Sequence, residues 1–210
     1  MFVRDPQMNF RRDFFRTVCC ACALLVSLVA LPTHAAQLEF DEYLQRADAA
    51  RARGDWESVA NQYAQAINHP DLPKDGATRS MVNLEYGRAL GVICQYAEAA
   101  KFQQRAKDIA EKSGAPLFSV FYEMAARNVA EKKYAEATAL FAQVMPLIDR
   151  AKTSPLIIAD AYEKYALALA ETGKTEEASA RRGDAAKARE TKTKPAPPGT
   201  ITPYGAQCPR

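Results

Sequence analysis

The fold prediction rests on the stretch Gly54-Asp55-Trp56-Glu57-Ser58-Val59-Ala60-Asn61-Gln62-Tyr63-Ala64-Gln65-Ala66. It places a turn before a helix whose first residues include an aromatic side chain, an acid and alanine. The pattern returns three times, and steps of 40, 38 and 41 residues separate its equivalent positions, which are Trp56, Tyr96, Tyr134 and Thr175. A fixed period of this size is typical of stacked helix pairs. The sequence therefore predicts a repeat of helical hairpins.

Apolar and small residues recur near helical spacing on both sides of each turn, which predicts eight helices in four pairs. The predicted helices span residues 37–53, 57–68, 81–93, 97–112, 117–131, 135–149, 155–171 and 176–190. Residues 69–76 are predicted to form a polar, proline-containing connector between the first and second pairs. The last helix is rich in charged residues, which is typical of a solvent-facing end cap.

Superposing the four hairpins on their turns places small side chains at equivalent positions. In the first helix of each pair these are Ala47, Gly87, Ala125 and Ala166. In the second helix they are Val59, Ala99, Ala137 and Ala178, and seven residues later Ala66, Ala106, Val144 and Ala185. Helices packed about 8 to 10 Å apart need small side chains where they cross. We therefore predict that these positions are the repeat-packing contacts.

The pattern resembles tetratricopeptide repeats (TPRs) over residues 39–190. The matching features are Gly or Ala at the eighth position of the repeat and Trp or Tyr after three of the four turns. Ala or Val also stands at both positions where the second helix of each pair crosses a neighbouring helix. Polar residues stand at positions that are apolar in the family, and these are Arg46, Asn83, Gln103, Asn128 and Arg182. The resemblance implies an all-α fold, a right-handed α-solenoid of about four hairpins.

The resemblance also implies a concave groove, lined by the first helix of each pair, that binds an extended peptide or a partner's helix. The family's groove positions correspond here to Leu44, Asp48, Leu84, Arg88, Tyr122, Ala126, Glu163 and Leu167. Among these, Arg88 offers a bidentate grip on a carboxylate and Tyr122 offers contact area at low entropic cost. The competing interpretation pairs Arg88 with Glu85 or Glu123 and places Tyr122 in the core.

Residues 1–35 have the composition of a cleaved secretory signal. A basic leader precedes an apolar run at residues 18–31, and small residues follow it. The run is shorter than the roughly 20 residues that span a bilayer, although an uncleaved anchor is the alternative. Residues 11–16 resemble the twin-arginine export motif, but general secretion is favoured. We expect a periplasmic protein with no membrane span after cleavage, comprising a helical domain at 36–190 and a tail at 191–210.

Charge and cysteine content narrow the class of protein further. Without residues 1–35, 24 of the 28 Lys and Arg and 23 of the 25 Asp and Glu remain. This balance argues against nucleic-acid binding, which needs a basic excess on one face. Two of the five cysteines remain, Cys94 and Cys208, and an oxidising compartment favours a disulfide between them. Two free thiols or an intermolecular link are the alternatives.

The C-terminal residues 191–210 contain five prolines, which predicts an extended, disordered tail with no core of its own. The sequence Pro195-Ala196-Pro197-Pro198 has an alternative interpretation as a polyproline ligand for another protein.

Catalytic chemistry has little support in the sequence. Outside residues 1–35 the chain has one histidine, His69, and no Cys/His cluster has metal-ligand spacing. The paired acids at 41–42 and 176–177 stand at predicted helix starts, where a negative charge interacts favourably with the helix dipole. We therefore predict no catalytic residue, metal or cofactor, and a protein–protein interaction scaffold. The alternative function is a structural or assembly accessory of an envelope, secretion or pilus complex that acts through its convex face or tail.

Overall fold

The computed structural model describes residues 38–150, 153–190 and 202–208, except the side chains of residues 149 and 150. The prediction of an all-α protein is confirmed over these ranges, which contain eight α-helices, one 3₁₀-helix and no strand. The α-helices are α1 (Phe40–Ala52), α2 (Trp56–Ile67), α3 (Gly76–Val92), α4 (Tyr96–Ser113), α5 (Phe118–Ala130), α6 (Tyr134–Val144), α7 (Pro155–Glu171) and α8 (Thr175–Glu190). The predicted signal at 1–35 lies outside the described residues.

Four turns of one geometry join the helices into pairs. In each turn a residue with positive φ follows the first helix, and these residues are Gly54, Cys94, Lys132 and Gly173. The next amide donates to a carbonyl five residues back, as in Asp55 N to Ala50 O at 3.0 Å and Gln95 N to Leu90 O at 2.8 Å. This hydrogen-bond pattern satisfies carbonyls at the helix end. The sequence repeat therefore corresponds to a repeated backbone geometry.

Two of these four turn positions carry residues with a Cβ atom. Cys94 has φ 67° and Lys132 has φ 60°, in the left-handed region that costs an L-residue about 1 kcal/mol or more. The cost at Cys94 is offset by a covalent contact that glycine cannot make, because its sulfur is bonded to that of Cys208.

The second hairpin begins earlier than predicted. Helix α3 starts at Gly76, and not near Met81, because Asp75 is an N-cap whose Oδ1 accepts a 2.7 Å hydrogen bond from Thr78 N. Asp55 caps α2 in the same way, accepting from Ser58 N at 3.0 Å. Residues 68–75 therefore connect the two hairpins, whereas the predicted helices leave residues 69–80 between them.

The third hairpin ends differently from the prediction. A continuous helix was expected over residues 135–149, but α6 ends at Val144 and a 3₁₀-helix covers Met145–Arg150. Pro146 explains the change, because it has no N–H to donate and its ring clashes with the preceding helical turn.

Each helix packs against the next in the chain, from α1 to α8. Helix α5 also contacts both α3 and α7, so the first helices of neighbouring hairpins touch. One apolar cluster is built around Trp56 in the first two hairpins, and another is built around Phe141 in the last two. A smaller cluster containing Leu84, Ala106 and Val120 joins the two halves.

The predicted repeat-packing residues are all buried. None of the eleven with a side chain is more than 1% exposed, and Gly87 is buried with them. A Cβ atom on Gly87 would lie 2.9 Å from Gln103 Cγ and 3.1 Å from the Ala99 carbonyl oxygen. Helices α3 and α4 therefore approach closely at this glycine.

Part of the predicted disordered tail is ordered. Residues 202–208, which we term the C-terminal segment, pack against the first three hairpins, and Tyr204 is only 8% exposed. The prediction of a tail without a core is wrong for this segment, because Tyr204 supplies a buried anchor and Cys208 a covalent one. The sequence Pro195-Ala196-Pro197-Pro198 lies outside the described residues.

Candidate functional site

A cavity of about 210 Å³ lies against the first helices of the hairpins. We term it the first-helix cavity. Its walls combine aromatic, apolar and charged side chains, and the lining residues are Arg51, Leu84, Glu85, Arg88, Phe118, Ser119, Tyr122, Glu123, Thr153 and Ile157. Its two arginines and two glutamates balance in charge. The cavity therefore presents hydrogen-bonding groups and apolar surface with no net attraction for one sign of charge.

Three of the eight predicted groove residues meet at this cavity, namely Leu84, Arg88 and Tyr122. All three are buried, as is the predicted groove residue Ala126. Leu44 and Glu163 are half-buried. Asp48 and Leu167 are exposed, and Leu167 is 41% exposed.

Arg88 forms a buried ion pair with Glu123. Its Nη1 donates to Glu123 Oε1 at 2.7 Å, and its guanidinium lies 5.5 Å from the centre of the Trp56 ring. Burial is the largest single effect and lowers the Arg88 pKa, but Glu123, Tyr204 and Glu85 together outweigh it, so the pKa is raised. The arginine is thus held as a cation by partners within the chain. This is the arrangement that the competing interpretation of Arg88 described.

A second arginine approaches the same tryptophan. Arg51 Nη2 donates to Glu85 Oε2 at 2.6 Å and to the Tyr63 hydroxyl at 3.3 Å, and the guanidinium lies 5.8 Å from the Trp56 ring centre. Trp56 therefore lies near two arginines, each paired with a carboxylate. Cation–π contacts of this kind fix the arginines in position at the wall of the cavity.

Tyr122 is fixed from two directions. Its hydroxyl donates to Asp160, which also pairs with Lys164, and its ring stacks on Phe118 with 6.2 Å between centres. The pKa of Tyr122 is raised because burial disfavours the tyrosinate and the charges of Glu123 and Asp160 add to that effect. The ring lines the cavity as a rigid, neutral surface.

A second polar centre surrounds Tyr204 of the C-terminal segment. We term the surface that receives this side chain the tyrosine slot, formed by Arg88, Gly91, Gln103 and Glu123. The Tyr204 hydroxyl donates to Glu123 Oε2 at 2.7 Å and accepts from Gln103 Nε2 at 2.7 Å. Arg88 and Glu123 therefore belong both to the slot and to the first-helix cavity.

Gln103 is central to this network and is fully buried. Its Oε1 accepts a 2.8 Å hydrogen bond from Arg127 Nε, and Arg127 also pairs with Glu131. Sequence reasoning identified Gln103 only as a departure from the family's apolar pattern. It missed the slot, although a buried glutamine at a usually apolar position indicates a polar partner. The other missed signal is Tyr204, an aromatic residue within the proline-rich tail.

A disulfide joins Cys94 and Cys208, which are 114 residues apart. It connects the turn of the second hairpin to the end of the C-terminal segment. Cys208 is exposed and Cys94 is half-buried, so Cys208 is the more accessible sulfur.

His69 occupies a structural position. Its Nε2 lies 2.9 Å from the Leu38 carbonyl oxygen, and its Nδ1 lies 3.1 Å from the Asp71 amide nitrogen. Both ring nitrogens are thus bonded to backbone groups. Within the described ranges, no group of three or more His, Cys, Asp and Glu side chains is placed to hold a metal ion.

No α-helix in the described part of the chain is both long enough and apolar enough to cross a membrane. Comparison of the chain with protein families, with curated proteins and with solved structures finds no match.

Proposed function

We propose that this protein is a non-catalytic scaffold that binds a partner protein through the first-helix cavity. We also propose that it is exported and that its four hairpins form a TPR-like stack. The partner presents an extended peptide or a helix to the face formed by α1, α3, α5 and α7. In the proposed solenoid this face is concave.

The observation that carries the proposal is the composition of the first-helix cavity. It draws residues from α1, α3 and α5 and from the start of α7, so one partner segment would contact all four hairpins. Aromatic and arginine side chains held rigidly in a concave site are typical of binding hot spots. Because the walls are fixed by ion pairs and stacking, binding would require little reorganisation of the site.

The proposed repeat architecture is supported by the four equivalent turns and by the contacts of α5 with α3 and α7. The proposed export is supported by the disulfide, since such bonds are typical of oxidising compartments. The non-catalytic role is supported by the backbone bonding of His69 and by the pairing of the carboxylates at the cavity.

Photo-crosslinking tests the proposal. Ser119 lines the cavity and is exposed, so a photoreactive amino acid can replace it without disturbing the buried ion pairs. Ser179, an exposed serine on α8, is the matched control position. We expect the probe at Ser119 to capture a specific protein in the native envelope, and the probe at Ser179 to capture none.

The captured protein must then bind the purified chain directly. Equal capture by the two probes, or capture of proteins that show no direct binding, would contradict the proposed function.

A further inference from the structure

The tyrosine slot recognises one side chain with two hydrogen bonds. The Tyr204 hydroxyl donates to Glu123 Oε2 and accepts from Gln103 Nε2, and both hydrogen bonds are 2.7 Å long. Tyr204 is 8% exposed and Gln103 is fully buried. A phenylalanine in the slot would leave both polar groups without this partner, so the slot discriminates tyrosine from phenylalanine.

Two glycines shape the slot. A Cβ atom on Gly91 would lie 2.3 Å from two adjacent carbons of the Tyr204 ring, so the edge of the ring lies directly against the α3 backbone. Gly205 has φ 75°, and a Cβ atom there would lie 2.5 Å from the Tyr96 hydroxyl. The slot therefore requires glycine directly after the tyrosine.

The remaining contacts of the segment near α3 are made by its main chain. Gly205 N donates to Gly91 O at 3.1 Å, and Gln207 N donates to Val92 O at 3.0 Å. These two carbonyls lie at the end of α3, where the regular helical partners are absent, and Gly91 O also accepts from Cys94 N at 3.2 Å. Any peptide that carries the tyrosine and glycine can supply the same amides.

Two further contacts fix the direction of the segment. Arg88 Nη2 donates to the Thr202 carbonyl at 3.3 Å, before the tyrosine. The Gln207 side chain, after the tyrosine, donates to Gly54 O and accepts from Trp56 N at 3.4 Å. Pro203 and Ala206 are exposed, so their side chains are not recognised. The recognised pattern is thus tyrosine, glycine, any residue, glutamine.

We propose that the tyrosine slot is a peptide-recognition site for a Tyr-Gly-x-Gln segment of a partner protein. The chain's own residues 204–207 occupy it, and the Cys94–Cys208 disulfide locks them there. A protein dithiol opens the site. In this interpretation the C-terminal segment is an internal ligand as well as a structural element.

The opening step is thiol–disulfide exchange. A thiolate of the dithiol attacks the exposed sulfur of Cys208, forming a mixed disulfide and releasing Cys94 as a thiolate that takes up a proton. The second thiol of the dithiol then attacks the sulfur that the first thiol contributed to the mixed disulfide. Cys208 leaves as a thiolate and takes up a proton. Two electrons pass to the chain, which gains two thiols, and the dithiol becomes a disulfide. The segment is then held by noncovalent contacts alone.

Peptide binding to the full chain tests the proposal. The variant Cys94→Ser/Cys208→Ser/Tyr204→Ala vacates the slot, and the probe is a fluorescent peptide of residues 202–208 with Cys208→Ser. We expect saturable binding with a dissociation constant below about 1 mM. A short tether gives the chain's own segment an effective concentration in that range, and the segment occupies the slot. Absence of binding at that concentration, with circular dichroism showing intact helices, would overturn the proposal.

Matched peptides test the specificity. The same peptide with Tyr204→Phe is expected to bind at least about 10-fold more weakly, because two buried polar groups lose their partner. The peptide with Gly205→Ala is expected to show no binding. Equal affinity of all three peptides would contradict recognition by the slot.

The wild-type chain provides a second test that does not depend on the folding of the variant. Chymotrypsin cleaves after tyrosine, so cleavage after Tyr204, read by mass spectrometry, reports whether the segment has left the slot. We expect resistance and no peptide binding when the chain is oxidised, and cleavage together with peptide binding after addition of a dithiol. A reduced chain that is neither cleaved nor able to bind peptide would overturn the proposal.

This site differs from the first-helix cavity, and its test does not depend on the proposed function. The peptide test uses a segment of this chain and no partner protein, whereas the test of the proposed function is capture of a partner protein by the probe at Ser119. Loss of partner binding at the cavity and loss of peptide binding at the slot are therefore distinguishable results.

Discussion

The Tyr204 hydroxyl donates a 2.7 Å hydrogen bond to Glu123 Oε2 across 81 residues of sequence. The other oxygen of the same carboxylate, Oε1, accepts from Arg88 Nη1 at 2.7 Å. One glutamate therefore connects the C-terminal segment to a wall of the first-helix cavity. Because the three groups are buried together, a change at Tyr204 affects the surroundings of Arg88 as well.

Replacing Tyr204 by phenylalanine should destabilise the oxidised protein by about 1 to 3 kcal/mol, because Glu123 and Gln103 lose a buried hydrogen-bond partner. Urea unfolding measures the change. Tyr134→Phe, at a half-buried tyrosine in α6, is the control and should change stability by less than about 0.5 kcal/mol. Equal losses of unfolding free energy in the two variants would show that the hydrogen bonds of the Tyr204 hydroxyl do not stabilise the protein.

The pKa of Tyr204 is raised well above its ordinary value near 10, because burial disfavours the tyrosinate and the charge of Glu123 adds to the effect. Its contribution to stability is thus complete below pH 10 and is lost as the pH rises above that value. Above pH 10 we expect the wild type to lose stability more steeply than Tyr204→Phe, by up to about 1.4 kcal/mol per pH unit. Urea unfolding between pH 9 and about pH 11 measures both slopes. Parallel slopes would contradict this assignment.

Removing the disulfide should lower the free energy of unfolding by about 2 to 5 kcal/mol, since the bond closes a loop of over a hundred residues. Urea unfolding of the chain with and without a dithiol measures the loss. The variant Cys94→Ser/Cys208→Ser is the control, because a dithiol should leave its stability unchanged. If reductant destabilises the wild type and this variant equally, the effect does not come from the disulfide.

Gly87 and Gly183 provide a matched pair of helical glycines. A Cβ atom on Gly87 would approach Gln103 Cγ to 2.9 Å, whereas one on Gly183 would meet no atom within 4 Å. We expect Gly87→Ala to destabilise the protein by about 1 to 3 kcal/mol through overpacking. Gly183→Ala should instead stabilise it by about 0.5 to 1 kcal/mol, since alanine is the better helix former. Thermal unfolding of both variants checks the opposite signs, and a shared sign would contradict the close approach of α3 and α4.

The hairpins were predictable because their determinants are local. A turn residue, a helix-starting residue and small residues at a fixed spacing are all visible within one repeat, and Gly54 and Ala47 are examples. The boundary of α3 was missed because the nearby prolines outweighed the N-cap signal of Asp75. The end of α6 was missed because apolar periodicity continues through Pro146, whereas helical hydrogen bonding does not.

The tyrosine slot was not predictable from periodicity. It depends on contacts between residues about a hundred positions apart, such as Gln103 with Tyr204, and a hydrophobic repeat pattern contains no information about such pairs. The composition of the tail also predicted disorder, since composition averages over the single tyrosine that anchors it. Of the cavity residues, Leu84, Arg88 and Tyr122 were predicted through the family resemblance, and Glu123 was one of two partners suggested for Arg88. The partner of Tyr122, Asp160, is a property of the folded chain.

The central claim is tested most directly by titration calorimetry with the partner protein that the probe at Ser119 captures. The partner is titrated into the wild type, the Ser119→Trp variant and the control variant Ser179→Trp. Tryptophan at position 119 would occupy much of the first-helix cavity of about 210 Å³, while the same change on α8 adds only exposed surface. We predict that Ser119→Trp weakens binding at least about 10-fold and that Ser179→Trp leaves it unchanged. Unchanged binding by a correctly folded Ser119→Trp variant would contradict the claim that this cavity binds the partner.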